Sequence, residues 1–270
     1  MADSPEFVAL KERMKATWMA GDFGQIARIN EQSGEEFVSR LNLQPGMRVL
    51  DVACGTGNQS VPAARTGADV TGLDIAPNLL AQGRERAQRE NLPINFIEGD
   101  AEHLPHEDGR FDVVLSMFGA MFAPRPDRVA SELLRVCRPG GMVAMGNWTP
   151  SGFVGKSFVL TSRHVPPPPG VPPAVLWGDE SVVAQRFGSR AQLHMTRRTM
   201  LFDYPYGPEK VVELFRTYFG PTKTAFERLE PPKQKALHDE LLQLWNEHNE
   251  ASDGRTVVHS EYLEVHARPN

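Results

Sequence analysis

Two glycines and an acid stand close together in the stretch VLDVACGTGNQS, residues 49–60. Gly55 and Gly57 follow an apolar run, a spacing typical of a tight turn between a strand and a helix, where the backbone approaches a ligand because no Cβ intervenes. The dinucleotide fingerprint GxGxxG requires a third glycine, but Ser60 occupies that position. Asp51 lies inside the apolar run, just before the turn, and its carboxylate would repel a pyrophosphate. The stretch therefore favours a ligand that carries a cationic amine, met directly or through water.

Two further acids stand at the ends of the next two predicted strands. Asp74 ends the second strand and Asp100 ends the third. The carboxyl ends of parallel strands share one edge of a sheet, where open α/β sheets bind ligands. There Asp74 can accept from both hydroxyls of a ribose, while Asp100 and the Ala101 N–H can read the edge of an adenine. Taken singly, each acid could instead cap a helix, form a turn or be a structural strand-end acid. Their joint spacing favours a binding site.

Strands and helices alternate through the region that carries these acids. Strands are predicted over 48–53, 69–75, 94–100, 111–118 and 142–148, with helices near 61–65, over 77–91 and over 125–137. Five such alternations predict a parallel sheet with helices on both faces. The strands are almost continuously apolar, as expected when both faces are covered.

The flanking segments divide the chain further. We predict an N-terminal helical cap over 1–42, a ligand-binding core over 43–150, a lid over 151–190, and strands and helices that complete the sheet over 191–270. Gly21 and Asp22 should divide the cap into two helices. The proline-rich stretch 165–173 is a stiff loop or, alternatively, a recognition motif for an aromatic groove.

Composition sets broad limits on the class of protein. The 270 residues are 40% hydrophobic and 23% charged, with a net charge of −5, values typical of a soluble globular protein with no general attraction for nucleic acid. The two cysteines, Cys54 and Cys137, lack metal-ligand spacing, so we expect no metal site and a cytoplasmic location. The longest apolar stretch, 113–123, is too short to span a bilayer. We expect a monomer or a homodimer.

Four ordered segments carry a specific resemblance. VLDVACGTGN, LDIAPNLLAQGRERA, IEGDAEHLPHEDGRFDVVLSMFGAMF and ELLRVCRPGGMVAMGNW, all within 45–150, closely resemble the class I S-adenosylmethionine-dependent methyltransferases. The small-molecule branch, which includes the quinone-biosynthesis C-methyltransferases, is the most similar. The resemblance implies a Rossmann-like, doubly wound, seven-stranded and mostly parallel sheet with one antiparallel strand. It also implies S-adenosylmethionine as the cofactor, a sulfonium nucleoside that has an amino acid tail and no phosphate.

The resemblance also implies a set of cofactor-binding residues. These are Asp51, Ala53, Gly55 and Gly57 along the methionine moiety, Asp74 on the ribose, Ile75 beside the adenine, Asp100 and Ala101 on the adenine edge, and Met117 near the amino group and methyl. Asn58 is either a polar contact or an exposed turn residue. Cys54 is interpreted as a small inert residue rather than a nucleophile, because methyl transfer needs no covalent step.

Aromatic residues are the candidates for a methyl-acceptor pocket. They are Trp18, Phe118, Phe122, Trp148, Phe153 and Trp177. They favour a small, mostly hydrophobic or aromatic acceptor, although core packing explains the same pattern equally well. Whether oxygen, nitrogen, sulfur or carbon is methylated stays open.

Direct displacement from a sulfonium depends chiefly on alignment, and only a hydroxyl acceptor would usually need a general base. The candidate bases are His103, His164, His194 and His259, although a surface or structural role is the favoured interpretation of each. We assign no catalytic residue.

Three alternatives accompany the methyltransferase prediction. A NAD-type oxidoreductase would need a glycine at position 60 and a loop that tolerates phosphate. A non-catalytic regulatory or scaffold protein that binds the cofactor would keep the glycine loop and the acids. A nucleic-acid methyltransferase would carry a motif of the type [ND]PP[YFW] after the fourth strand, where this chain has SMFG at 116–119.

Overall fold

Seven strands form a single sheet in the computed structural model, which describes residues 4–270. The strands are β1 Arg48–Val52, β2 Asp69–Asp74, β3 Asn95–Glu98, β4 Phe111–Met117, β5 Cys137–Trp148, β6 Ala191–Tyr204 and β7 Thr256–Pro269. Their order across the sheet is β3-β2-β1-β4-β5-β7-β6. Strands β1 to β5 are parallel, and β7 runs antiparallel to both of its neighbours. The predicted fold class, a doubly wound sheet with one antiparallel strand, is confirmed.

Eleven α-helices accompany the strands in the described part of the chain. They are α1 Pro5–Met19, α2 Phe23–Ala27, α3 Glu31–Ser39, α4 Ser60–Arg65, α5 Pro77–Arg89, α6 Pro126–Val136, α7 Phe153–His164, α8 Glu180–Phe187, α9 Pro208–Tyr218, α10 Gly220–Glu227 and α11 Pro231–His248. Short 3₁₀ turns lie at Arg28–Asn30, Ala120–Phe122, Ala174–Gly178 and Gly188–Arg190. The predicted break at Gly21 and Asp22 separates α1 from α2. None of the described helices is both long and apolar enough to cross a bilayer.

The central strands are buried on both faces, which explains their continuous apolar sequences. Leu50 of β1, Leu115 of β4 and Met145 of β5 are fully buried. The strand order reverses between β1 and β4, because β1 pairs with β2 on one side and with β4 on the other. A crevice opens at the carboxyl ends of the strands at such a reversal.

The segment 151–190, which we expected to form a lid, folds into α7, a 3₁₀ turn, α8 and a second 3₁₀ turn. Phe153 is buried and packs on Trp245 with ring centroids 4.4 Å apart. Trp177 is buried against Phe187 at 6.1 Å. These aromatic side chains therefore pack in the hydrophobic core, which is the alternative that the sequence left open.

An ion cluster fixes the N-terminal helices to the sheet. Arg40, directly after α3, donates from Nη2 to the buried Glu264 carboxylate at 2.6 Å and to the Tyr262 hydroxyl at 2.9 Å. Arg198 of β6 reaches the same carboxylate at 2.7 Å. Burial would raise the pKa of Glu264, but hydrogen bonds from His266 and Arg40 lower it to about 2. The cap is therefore attached to β6 and β7 by a carboxylate that stays charged.

Candidate functional site

One deep cleft lies at the strand reversal, between the carboxyl edge of the sheet and the N-terminal helices. It holds about 1150 Å³ of space outside the protein atoms, its open mouth included. The predicted residues that line it are Trp18, Ala53, Gly55, Asn58, Asp74, Ile75, Asp100, Ala101, Met117, Phe118 and Phe122. The structure thus brings most of the candidate residues together around one space.

The glycine loop turns sharply at the bottom of this cleft. Ala53, Gly55 and Gly57 have φ values of +57°, +53° and +83°. Gly55 lines the cleft, whereas Gly57 packs on Phe96, whose ring would lie 3.2 Å from an added Cβ. Gly57 therefore shapes the loop from behind and does not line the cleft. Ala53 is a non-glycine residue in the left-handed region, a strain typical of functional sites.

Asp51 lies behind the loop rather than in the cleft lining. It is fully buried, and its Oδ2 accepts a 2.6 Å hydrogen bond from Ser60 Oγ. Its Oδ1 has no hydrogen-bond partner among the described residues. Burial, and secondarily the charge of Asp74, raise the pKa of Asp51 to about 7. Ser60, the residue that breaks the dinucleotide fingerprint, is thus the partner of this carboxyl group.

Asp74 is held by backbone amides at the cleft wall. Its Oδ2 accepts from Gly55 N at 2.8 Å and its Oδ1 accepts from Ala76 N at 2.8 Å. Burial raises the pKa of Asp74, although these hydrogen bonds act in the opposite direction. Each carboxylate oxygen retains acceptor capacity, so the group can still receive two hydroxyl hydrogens. The geometry fits the predicted ribose contact.

Asp100 shares its carboxylate with the N-terminal helix. Its Oδ1 accepts from Glu102 N at 2.9 Å, and its Oδ2 receives the ammonium group of Lys11. Lys11 also lies 2.9 Å from the buried carboxylate of Glu102. Sequence reasoning missed Lys11, although lysines at 11 and 15 on a helix and acids alternating at 98, 100 and 102 are complementary patterns.

Asn58 bridges the glycine loop to its surroundings. Its Nδ2 donates to Ala27 O at 2.8 Å, and its Oδ1 accepts from Arg86 Nη1 at 2.6 Å. Both ends of the amide are therefore engaged with protein groups, although Asn58 also lines the cleft. The contacts attach the N-terminal cap to the loop.

The segment after β4 forms the wall opposite the glycine loop. Met117 Sδ accepts from Gln59 Nε2 at 3.4 Å. Phe118 has a φ of +58°, and its ring stacks on Trp148 at a centroid distance of 3.7 Å and an angle of 4°. Trp148 consequently lies behind Phe118 and does not line the cleft. A Cβ at Gly119 would lie 2.5 Å from Ala53 O, so the two walls touch there.

Aromatic and aliphatic side chains line the other part of the cleft. Trp18 meets Phe122 edge to face at 5.0 Å and Phe23 at 6.2 Å. Met200 of β6 also lines this part, together with Asn30, whose Oδ1 is buried without a partner among the described residues. Phe23, Asn30 and Met200 were missed by sequence reasoning, because nothing local marks them. Phe153, Trp177 and the rest of 151–190 contribute no described residue to the lining.

Few ionisable side chains line the cleft. Within the described residues they are Lys11, Asp74, Asp100 and the thiol of Cys54, and none of the four candidate histidines is among them. His164 pairs with Glu240 and His259 pairs with Glu250. Burial raises the pKa of Cys54 well above its usual range, which fits an inert thiol. No cluster of potential metal ligands occurs in the described chain.

The sheet order, the cleft at its reversal and the acids at the strand ends define the Rossmann-like fold of the class I methyltransferases. The family model described as "Methyltransferase domain" matches residues 50–145. An uncharacterised protein of Mycobacterium tuberculosis is 40% identical over 256 residues, which cover 93% of this chain and 92% of that protein. A demethylmenaquinone methyltransferase of Renibacterium salmoninarum is 40% identical over 116 residues, 43% of this chain and 47% of that enzyme.

Solved structures agree in fold. The YcgJ protein of Bacillus subtilis superposes with a TM-score of 0.61 at 16% identity, over 88% of this chain and 98% of that one. A phosphoethanolamine N-methyltransferase of Haemonchus contortus, in complex with S-adenosyl-L-methionine, gives 0.55 at 20% identity, over 88% of this chain and 53% of that one. The chain belongs to the class I S-adenosylmethionine-dependent methyltransferases.

Proposed function

We propose that the protein transfers a methyl group from S-adenosylmethionine to a small, mostly apolar or aromatic acceptor by direct displacement. The observation that carries the proposal is a single cleft with two chemically different parts. One part presents Asp74 and Asp100 beside the glycine loop, and the other presents the rings of Trp18 and Phe122. The polar nucleoside would bind in the acidic part and the apolar acceptor in the aromatic part.

The residues present fit the cofactor. The Asp74 carboxylate is oriented by two backbone amides and keeps acceptor capacity for ribose hydroxyls. Asp100 and Ala101 would read the adenine edge with Ile75 alongside, and Ala53, Gly55 and the Met117 carbonyl would hold the amino acid tail. When bound, the sulfonium supplies an electrophilic methyl group.

The protein contributes alignment and exclusion of water. Two reactants held in the correct geometry can gain about 7–11 kcal/mol of the barrier from orientation alone. The apolar rings exclude water from the acceptor part, which limits competing hydrolysis. Since the described lining offers no histidine, the cleft best suits an acceptor atom that needs no general base, such as an amine, a thiolate or an activated carbon.

Two measurements test the proposal. Titration calorimetry should show binding of S-adenosylhomocysteine and no binding of NAD; the reverse result would indicate an oxidoreductase. Incubation with methyl-labelled S-adenosylmethionine and a panel of apolar amines, thiols, phenols and alcohols should transfer label and release S-adenosylhomocysteine. Cofactor binding without turnover of any acceptor class would favour a regulatory or scaffold protein.

A further inference from the structure

Helix α1 covers the cleft with one of its faces. Lys11, Met14 and Trp18 are spaced by three and four residues, and all three line the cleft. All fifteen residues of α1 are described, and Leu10 alone among them is buried. A helix with so little buried apolar surface belongs to the least stable parts of a fold, from which moving elements are drawn.

Charge pairs hold the N-terminal part of α1. Lys11 binds both Asp100 and Glu102, and Lys15 lies 2.5 Å from Glu98. All three acids follow or end β3, so the helix is attached across the end of that strand. The Lys15–Glu98 pair is partly exposed, so it is weak and screened by salt, whereas the pair of Lys11 with the buried carboxylate of Glu102 is screened less.

Close backbone packing holds the C-terminal end of α1. A Cβ at Gly220 would lie 2.1 Å from Thr17 O, and a Cβ at Gly21 would lie 2.1 Å from Tyr218 O. Trp18 also packs on Phe219 at 5.8 Å. This end is therefore fixed to the end of α9 and the start of α10, and the part of α1 that precedes Thr17 is the part that can move away from the cleft.

We infer that α1 is the gate through which the cofactor enters and leaves, and that Lys11 is the positioning residue that latches it through Asp100. The inference rests on the proposed function, because it assigns a cofactor to the cleft. The Asp100 carboxylate has capacity for both partners, since its two oxygens each accept one further hydrogen bond. The latch thus closes at the same carboxylate that would receive the adenine amine.

Stopped-flow binding of S-adenosylhomocysteine, followed by the fluorescence of Trp18 in the cleft wall, tests the gate. In Lys11→Met combined with Lys15→Met, the association and dissociation rates should both rise about tenfold, while Kd changes less than about threefold. Both rates rise together because the latch stabilises the closed helix with and without ligand. Raising the salt concentration should accelerate exchange in the parent protein more than in this variant.

Matched variants separate a gate from a damaged site. Lys11→Arg keeps the charge and should restore slow exchange. Lys235→Met removes an exposed pair with Asp239 on α11, far from the cleft, and should change nothing. Lys15→Met alone removes the more exposed pair and should give a smaller acceleration.

Other outcomes overturn the inference. A faster dissociation with an unchanged association rate and a raised Kd would mean that Lys11 only supports the adenine site. Unchanged rates in the double variant would mean that α1 does not gate exchange. Failure of the parent protein to bind S-adenosylhomocysteine would overturn the proposed function itself, and the gate with it.

Discussion

The two parts of the cleft are built in different ways. The part proposed for the cofactor comes from the ends of β1 to β4, where the hydrogen-bonded register of the sheet fixes each residue against the next. The part proposed for the acceptor comes from the N-terminal cap, the segment after β4 and Met200 of β6, which are distant in sequence. The first part follows from the backbone of the sheet, whereas the second is assembled from side chains on separate helices and loops. Substitutions should therefore affect cofactor and acceptor separately.

Asp51→Asn should give the largest effect, on stability. The folded protein raises the pKa of Asp51 from 3.8 to about 7, so between these values it retains a proton that the unfolded chain has lost. Stability from this group is therefore lost as the pH rises toward 7. The unfolding free energy of the asparagine variant minus that of the parent should grow by about 2–3 kcal/mol from pH 5 to pH 8.

Chemical denaturation at several pH values measures this difference. Glu264→Gln, in the ion cluster with Arg40 and outside the cleft lining, is the control, because hydrogen bonds from His266 and Arg40 lower the pKa of Glu264 to about 2. Its stability difference from the parent should stay constant over the same range. If the unfolding free energies of the Asp51 variant and the parent changed with pH in the same way, the raised pKa of Asp51 would be contradicted.

Gly119→Ala should come next, because the added Cβ would meet the Ala53 carbonyl at 2.5 Å. Overpacking against backbone costs about 1–3 kcal/mol and would separate the ends of β1 and β4. Both the melting temperature and the affinity for S-adenosylhomocysteine should fall. Gly207→Ala is the control, because its added Cβ would have its nearest neighbour at 3.6 Å, and it should leave the melting temperature and the affinity unchanged. If Gly119→Ala also changed neither, the contact between Gly119 and Ala53 would be one that adjusts at little cost.

Asp74→Ala should weaken binding of S-adenosylhomocysteine at least about tenfold, because a charge-assisted contact to the ribose is lost. Calorimetry measures the change. If the ribose is the group contacted, the substitution should weaken binding of 5′-methylthioadenosine, which keeps the ribose, and leave the binding of adenine, which lacks it, unchanged. An unchanged affinity would remove the ribose assignment.

Trp18→Leu should give the smallest effect. It tests most directly whether the two parts of the cleft are independent of each other. The acceptor wall loses aromatic area, so KM for an acceptor found in the panel should rise roughly fivefold, while the affinity for S-adenosylhomocysteine stays within about twofold. Steady-state kinetics and calorimetry give the two numbers. Equal losses in both would mean that Trp18 contacts the cofactor and that the two parts are not independent.

The same division explains how far sequence reasoning reached. Asp74 and Asp100 were predicted because the end of a parallel strand is visible in the sequence and has a fixed place in the fold. Asn30 and Met200 were not, because their approach depends on how the cap and the β6–β7 pair are arranged in space. Trp177 is the opposite case. It was a candidate for the pocket but packs in the core, and its sequence alone cannot separate the two because an aromatic side chain suits both. Helix α10 is a further example, because it begins with Gly220 and Pro221, residues that usually mark a break, although proline is favourable in a first helical turn.

Strands β6 and β7 continue beyond the end of β5. The last pairing of β5 joins Trp148 to Tyr262, which in turn faces Arg198, whereas Met200 lies two residues further along β6 opposite Ser260. Two residues of strand advance the chain by about 7 Å. This overhang projects a hydrophobic side chain into the cleft from a ribbon that has no role in the glycine loop. A change in the length or composition of that ribbon would consequently reshape the apolar part of the cleft without moving the glycine loop.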